Sequence, residues 1–235
     1  MLIIFDLDDT LIDTSTSITP FKLKEALLCM KKAGFSQGEE ESVLSRLLTI
    51  NQTAATGKEA IISFAKELEI ADFFVKIGIE ELYGPLKQDF PVLPIKGALE
   101  MLCLLSKNFD LAIVSMGKKE QQLFKLKKAG IDSSFFYKIL CIEEGSKKDA
   151  YQMLWKEKQI APDQVIVCGD KVYVDLLPAK ELGFWTVHVK KGRGVYSTGP
   201  LGTVDVSITE LKELPELLLR MKEQNIQERG PYGDK

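Results

Sequence analysis

The chain opens with an unbroken apolar run, Leu2-Ile3-Ile4-Phe5, that ends in Asp6, Asp8 and Asp9 within four positions. Such a run predicts a strand covered on both faces, of the kind found in parallel sheets flanked by helices. The pattern then turns helical. Thr19-Pro20 reads as a helix start, with Thr19 as N-cap, and Leu23, Ala26, Leu27 and Met30 follow at i, i+3, i+4 and i+7 before Gly34 ends the helix. A second helix is expected from about Glu40 to Ile50 with Val43, Leu44, Leu47 and Leu48 on one face. A third starts near Lys58 and gathers Ile61, Phe64, Ala65 and Leu68, and a fourth covers Asp72 to Tyr83. Four amphipathic helices with no strand between them predict a small helical lobe.

After Pro85, Pro91 and Pro94 the pattern alternates. A helix from about Ile95 leads to the strand Leu111 to Val114, which ends in Ser115-Met116-Gly117. A lysine-rich helix runs to Gly130, followed by a strand from Lys138 to Ile142 and a helix from Lys147 to Lys158. The strand Val165 to Cys168 ends in Gly169-Asp170. A helix through Asp175 to Leu182, the strand Trp185 to Val189, the strand Val204 to Ile208 and a helix from Leu211 to Met221 complete the pattern. Alternation of this kind predicts an α/β fold with a doubly wound, Rossmann-like parallel sheet. The first strand needs the same two-sided cover, so the core is expected at 1–14 and 88–235, with the helical lobe inserted at 15–87. The polar tail from Gln224 to Lys235 has no apolar face and is expected to fray.

Composition narrows the class of protein. The 235 residues are 45% hydrophobic and 28% charged, as in a globular protein, and the net charge of −3 supplies no basic field to recruit nucleic acid. Cys29, Cys103, Cys141 and Cys168 lack the paired spacing of zinc or dithiol sites, and they read as small hydrophobes in a reducing compartment. No apolar stretch reaches the roughly 18 residues of a membrane span. Asp6 interrupts the N-terminal run before a signal-peptide core forms. The expectation is a cytoplasmic protein that engages neither membrane nor nucleic acid.

Ligands of open parallel sheets bind beyond the carboxyl ends of the strands. Those ends carry Asp6 and Asp8, Ser115 and Gly117, and Asp170 with Asp175 five residues on, while Lys147 opens the helix before the Asp170 strand. Singly, each has a plainer reading, since acids and serines after strands are common turn formers. Together they form a carboxylate cluster with a hydroxyl and an ammonium at one edge of the sheet. Carboxylates without nearby histidine or cysteine favour a hard cation such as Mg2+ over zinc. A hydroxyl, backbone N–H groups near glycine and a lysine suit a phosphoryl group.

At this point the sequence resembles the haloacid dehalogenase-like (HAD) superfamily, and within it the aspartate-nucleophile phosphatases with a helical cap, the phosphoglycolate phosphatase and beta-phosphoglucomutase-like group. Phe5-Asp6-Leu7-Asp8-Asp9-Thr10-Leu11 matches the first motif, DxDxT; Val114-Ser115-Met116-Gly117 resembles the second; Lys147 fits the third; Gly169-Asp170 with Asp175 fits the fourth. Four motifs in order, each on the expected element, make the likeness specific, and it spans nearly the whole chain. The resemblance implies Asp6 as nucleophile and Asp8 as proton carrier. It implies Ser115, Met116 and Lys147 as phosphate ligands, with Thr10 and Gly117 in support. Mg2+ would be held by Asp6, the Asp8 backbone carbonyl, Asp170 and Asp175, and the substrate would be a small phosphorylated metabolite; no protein partner is implied. The proton-carrier role calls for an Asp8 pKa near working pH, raised by neighbouring anions.

Met116 stands where many relatives carry Asn, no proline follows Lys147, and Lys171 follows Asp170 where Ser, Thr or Arg is common. Lys148 competes with Lys147, which is preferred for its 23-residue spacing to Asp170. The lysines at 118, 119, 125, 127 and 128 read as a solvated face, and His188 as structural. Lys190, Lys191 and Arg193 have a claim to anion contact, and Lys58 could reach a substrate from the lobe. A phosphomutase is the runner-up, but Asp13 to Lys24 lacks the histidine it commonly needs. A catalytically silent interaction protein would be expected to have lost one of the acids.

Overall fold

The computed structural model describes residues 1–220; the expected frayed tail, and the end of the last helix at Met221, lie outside the described residues. Six parallel strands form one sheet in the order β3-β2-β1-β4-β5-β6. They are β1 (Leu2–Phe5), β2 (Asp110–Met116), β3 (Phe136–Ile142), β4 (Val165–Gly169), β5 (Trp185–Val189) and β6 (Val206–Ile208). β1 lies at the centre, with Phe5 paired to Ile113 on one side and to Cys168 on the other. Its alternation feeds two cores. Ile3 and Phe5 join Ile113, Ile166 and Val187 on one face, while Leu2 and Ile4 join Val114, Val167 and Leu154 on the other. Each such side chain is worth about 1.5–3 kcal/mol when fully buried, so both faces hold β1 in place.

The chain leaves the sheet after β1 through α1 (Thr14–Ser17) and enters α2 (Thr19–Lys32), α3 (Glu40–Thr53), α4 (Gly57–Glu67) and α5 (Asp72–Leu82). These helices share a separate apolar core built from residues such as Leu23, Leu27, Leu47, Ile61 and Phe64. The return runs beside the exit. Asp13 N–H donates to the Leu93 carbonyl at 2.9 Å, and Ile95 N–H to the Leu11 carbonyl at 2.8 Å. The chain then alternates through α6 (Ala98–Leu105), α7 (Lys119–Lys128), α8 (Lys147–Lys158) and α9 (Leu177–Lys180) around the remaining strands.

Three local details differ from the sequence pattern. The short α1 was not expected; Asp13 caps it by accepting from Thr16 N–H at 3.2 Å, and this extra turn makes Ile18 rather than Thr19 the residue preceding α2. The segment around Asp175 starts as one π-helical turn, Val172–Leu176, before α9. After β6, a 3-10 turn at Leu211–Glu213, closed by a Glu210–Glu213 capping box, precedes a helical run over 214–220.

Candidate active site

The acidic loop grows directly out of β1. Asp6 N–H donates to the Cys168 carbonyl at 2.9 Å, which extends the ladder with β4 by one residue. The loop then folds on itself, because the Leu7 carbonyl accepts from Leu11 and Ile12 N–H, each at 2.9 Å. Asp9 takes the left-handed conformation at φ 58°, which a short polar side chain tolerates better than most. Its carboxylate accepts from Ser15 N–H at 2.7 Å and Ser15 hydroxyl at 2.5 Å, so it ties the loop to α1. Thr10 is fully buried, but its hydroxyl has no hydrogen-bond partner among the described residues, so the loop is closed by backbone bonds and packing.

Asp6, Asp170 and Asp175 are all buried, and one carboxylate oxygen from each lies within 4.8 Å of the others. Lys147 enters this cluster from the first turn of α8, with Nζ 2.5 Å from Asp6 Oδ1 and 2.6 Å from Asp175 Oδ1. Lys148 instead is exposed and pairs with Glu181 at 2.6 Å. Asp175 Oδ2 accepts from Lys171 N–H at 2.9 Å. Close approach here requires Gly169, since a Cβ at that position would lie 2.5 Å from Asp175 Cβ. The Asp170 carbonyl oxygen lies 3.0 Å from His188 Nε2, which gives the buried histidine a structural partner.

Burial dominates the electrostatics of Asp6 and Asp170. Burial pushes Asp6 up to about 6, with help from the Asp175 and Asp8 charges and against the pull of Lys147. Burial, Asp175 and Asp6 together push Asp170 well above the usual carboxylate range. Both Asp170 carboxylate oxygens are buried with no hydrogen-bond partner among the described residues. A buried carboxylate left this way is costly. An oxygen-lined set of three acids fits a hard divalent cation, and orphaned acceptors on Asp170 are what such an ion would satisfy.

Asp8 lies in a different environment. Lys125 Nζ is 2.8 and 2.9 Å from its two oxygens, Thr14 hydroxyl donates to it at 2.5 Å and Gln122 Nε2 at 3.1 Å. Burial alone would raise Asp8, but the Lys125 charge and these hydrogen bonds outweigh it and hold the group at about 2. This reverses the expectation that neighbouring anions would raise Asp8, because a cation from α7 sits closer than any of them. Gln122 Nε2 also lies 2.7 Å from Ser115 Oγ and 2.7 Å from the Met116 carbonyl oxygen, so it links the end of β2 to Asp8. Gly117, at φ 123°, donates its N–H to the Ile142 carbonyl at 2.8 Å.

Gln122 and Lys125 were missed in the sequence. Lys125 had been assigned to a solvated lysine face, yet it is mostly buried while Lys118, Lys119, Lys127 and Lys128 are exposed. A signal existed: Gln122 precedes Leu126 by four residues and lies on the same inward stripe, where a polar residue requires partners. Of the loop cations, Arg193 reaches the lobe, donating to the Ala54 carbonyl at 3.0 Å and to Asn51 Oδ1 at 2.5 Å, whereas Lys190 is exposed. Beneath it, Gly192 passes so near the acidic loop that a Cβ there would lie 2.5 Å from Asp9 Cγ. Lys58 is exposed on the lobe, and Lys22 instead faces the cavity beside Asp8.

A glyceraldehyde 3-phosphate phosphatase from Pyrococcus furiosus is 26% identical over 95% of this chain and 94% of its own. Among solved structures, a predicted phosphoglycolate phosphatase from Haemophilus somnus superposes with TM-score 0.66 at 20% identity, covering 92% of this chain and 97% of its own. The HAD-hydrolase YfnB from Bacillus subtilis, bound to magnesium, gives TM-score 0.60 at 19% identity over 93% and 98%. At such identities the structural likeness shows the fold alone. The profile of the haloacid dehalogenase-like hydrolases matches residues 3–189, which includes every strand end described above except that of β6, and the chain therefore belongs to that family.

Proposed function

We propose that the protein is a Mg2+-dependent phosphomonoesterase that hydrolyses a small phosphorylated metabolite through an aspartyl-phosphate on Asp6. The observation that carries this reading is the buried cluster of Asp6, Asp170 and Asp175, with Lys147 between two of them and both Asp170 carboxylate oxygens unpartnered. Asp6, Asp170, Asp175 and the Asp8 backbone carbonyl would hold Mg2+. When bound, the ion would neutralise charge on the transferring phosphoryl group and on the attacking carboxylate. The names of the curated relatives, all glyceraldehyde 3-phosphate phosphatases, support a phosphomonoester as substrate.

In the first step an Asp6 oxygen attacks phosphorus, the bond from phosphorus to the leaving oxygen breaks, and that oxygen takes a proton from Asp8. In the second, water attacks the phosphorus, Asp8 accepts the water's proton, and the bond to Asp6 breaks to release phosphate. Paired with Lys125, Asp8 is in the carboxylate form that the second step needs. For the first step, a monoanionic phosphate ester, whose second ionisation falls near pH ~6, would bring the proton in with it, passing it to Asp8, which hands it on to the leaving oxygen and is left as the carboxylate. Ser115 and the backbone at Met116 and Gly117 would hold phosphoryl oxygens. Lys147 would reduce repulsion between Asp6 and the incoming anion.

Residues 15–87 would act as a cap over a core of 1–14 and 88–235, excluding bulk water and choosing the substrate. Support comes from the cavity beside Asp8, which Thr19, Lys22 and Thr56 line from the lobe. All four cysteines are free, and no helix among the described residues is long and apolar enough to cross a membrane, which supports a cytoplasmic place. A phosphomutase finds less support, because the chain's one histidine is buried against Asp170. The test is phosphate release from a panel of phosphorylated metabolites with Mg2+. Activity that is lost with a chelator and in Asp6→Asn is expected. Turnover that survives in either case rules out the mechanism.

A further inference from the structure

Gln122 is buried in the first turn of α7, where an amide must find hydrogen-bond partners within the protein. Its Nε2 lies 2.7 Å from Ser115 Oγ, 2.7 Å from the Met116 carbonyl oxygen and 3.1 Å from Asp8 Oδ2. Chemistry fixes which end of the amide faces them. The Met116 carbonyl can only accept, and so can the Asp8 carboxylate in its pair with Lys125, so the NH2 end is the one that fits. Two hydrogens then serve three acceptors. The Ser115 hydroxyl, meeting a donor, is the acceptor in this bond, and its own hydrogen is left over. That side chain is only 1% exposed and has no other hydrogen bond among the described residues. A spare hydroxyl hydrogen is what an ionised phosphoryl oxygen, which only accepts, calls for.

The same amide sets the groups on either side. The peptide between Met116 and Gly117 is pinned at both ends, its carbonyl accepting from Gln122 and its N–H donating to the Ile142 carbonyl at 2.8 Å. A carbonyl left free to turn toward an incoming anion would repel it, so this bond also guards the end of β2. On the acidic loop, Asp8 Oδ1 accepts from Thr14 and Lys125, and Oδ2 from Lys125 and Gln122. Among the described residues, Gln122 is the only side chain with hydrogen bonds to both Ser115 and Asp8. We propose that Gln122 is a positioning residue, which fixes the Ser115 hydroxyl as a donor to the phosphoryl group and keeps that donor in register with the Asp8 carboxylate. This rests on the phosphatase reading above and deepens it. The end of β2 and the loop after β1 meet through α7, and Gln122 is the contact that sets their relative placement.

Two substitutions separate positioning from mere packing. Gln122→Met keeps the length of the side chain and removes the donor. Gln122→Glu keeps the shape but, as a carboxylate, would accept from the Ser115 hydroxyl instead of donating to it. Rates are measured on the full chain with Mg2+, using p-nitrophenyl phosphate and the ester of the phosphate panel that the wild type hydrolyses fastest, and each variant's fold is checked by circular dichroism. Gln122→Met should lower kcat/KM by about tenfold or more, as loss of a hydrogen bond next to charged groups does. Because the larger part of this acts through Ser115, the same change made in Ser115→Ala should cost no more than about threefold. Gln122→Glu should lose at least as much as Gln122→Met, although it is the closer match in shape. Equal losses with and without Ser115→Ala, wild-type rates in either variant, a glutamate that restores what methionine loses, or unfolding of both variants overturns the positioning role and leaves the phosphatase standing. No hydrolysis of any ester by the wild type overturns the phosphatase reading and the positioning role together.

Discussion

Replacing Lys147 by methionine removes a fully buried ammonium held at 2.5 and 2.6 Å from two buried carboxylates. Burial by itself disfavours the charged lysine, yet Asp175 and Asp6 keep its pKa well above the ordinary value. The methionine fills similar volume, so packing changes little and the cost is electrostatic: two anions left without a counter-ion. Breaking a buried pair from one side costs about 3–5 kcal/mol. For a chain of this size each kcal/mol moves Tm by roughly 2–4 °C, so the metal-free variant should melt about 6 to 20 °C lower at about pH 7. The control is Lys148→Met, next in sequence but 42% exposed in its pair with Glu181, which should cost no more than about 1 kcal/mol. Thermal unfolding followed by circular dichroism in chelator reads both. The deficit of Lys147→Met should shrink as pH falls towards about 6 and level off below it, because without the ammonium Asp6 takes up its proton at a higher pH than in the wild type. If the two variants melt within about 2 °C of each other at about pH 7, the ammonium does not hold the cluster together and the electrostatic account is wrong.

Asp6 has its pKa raised from 3.8 to about 6, so its contribution to stability is present below 3.8 and lost as pH rises through about 6. Asp6→Asn should therefore stabilise the metal-free protein at about pH 7 by up to roughly 3 kcal/mol, and a lower Tm than wild type would contradict this. Because Asp6 and Asp170 must both be ionised to bind Mg2+, calorimetric affinity for the ion should fall at least about tenfold per unit below pH ~6; a constant affinity between pH ~5 and ~7 would refute it. Asp8 is the opposite case: its pKa is lowered from 3.8 to about 2, so its stabilisation is present above 3.8 and lost as pH falls through about 2. Lys125→Met should thus cost on the order of 2 kcal/mol in denaturant unfolding at about pH 7, and an unchanged midpoint would show that the Lys125 pair contributes nothing.

Much of this protein was legible in the chain because strand and helix leave different apolar periods. The run Leu2 to Phe5, the alternating strands after Pro94 and the four helices of the lobe come from local pattern, and β1 to β5 fall close to where that pattern puts them. Asp6, Ser115, Lys147, Asp170 and Asp175 could be picked out because a parallel sheet delivers the carboxyl ends of its strands to one edge. The preference for Lys147 over Lys148 rested in the sequence on spacing alone, since neighbours on a helix differ only in the direction they face. Lys147 faces the sheet and Lys148 faces water.

The protonation states were not legible either. Asp6 and Asp8 are two residues apart in one motif, yet burial raises the first and Lys125, 117 residues away in sequence, lowers the second. Pattern along the chain reports which residues are buried and roughly which edge they reach. The charge on each acid depends on which distant side chains come within a few ångströms and how much water remains. The chain alone thus determined the sheet, the run of helices inserted after β1 and the acids at the strand ends; the tertiary structure decided which lysine neutralises which acid.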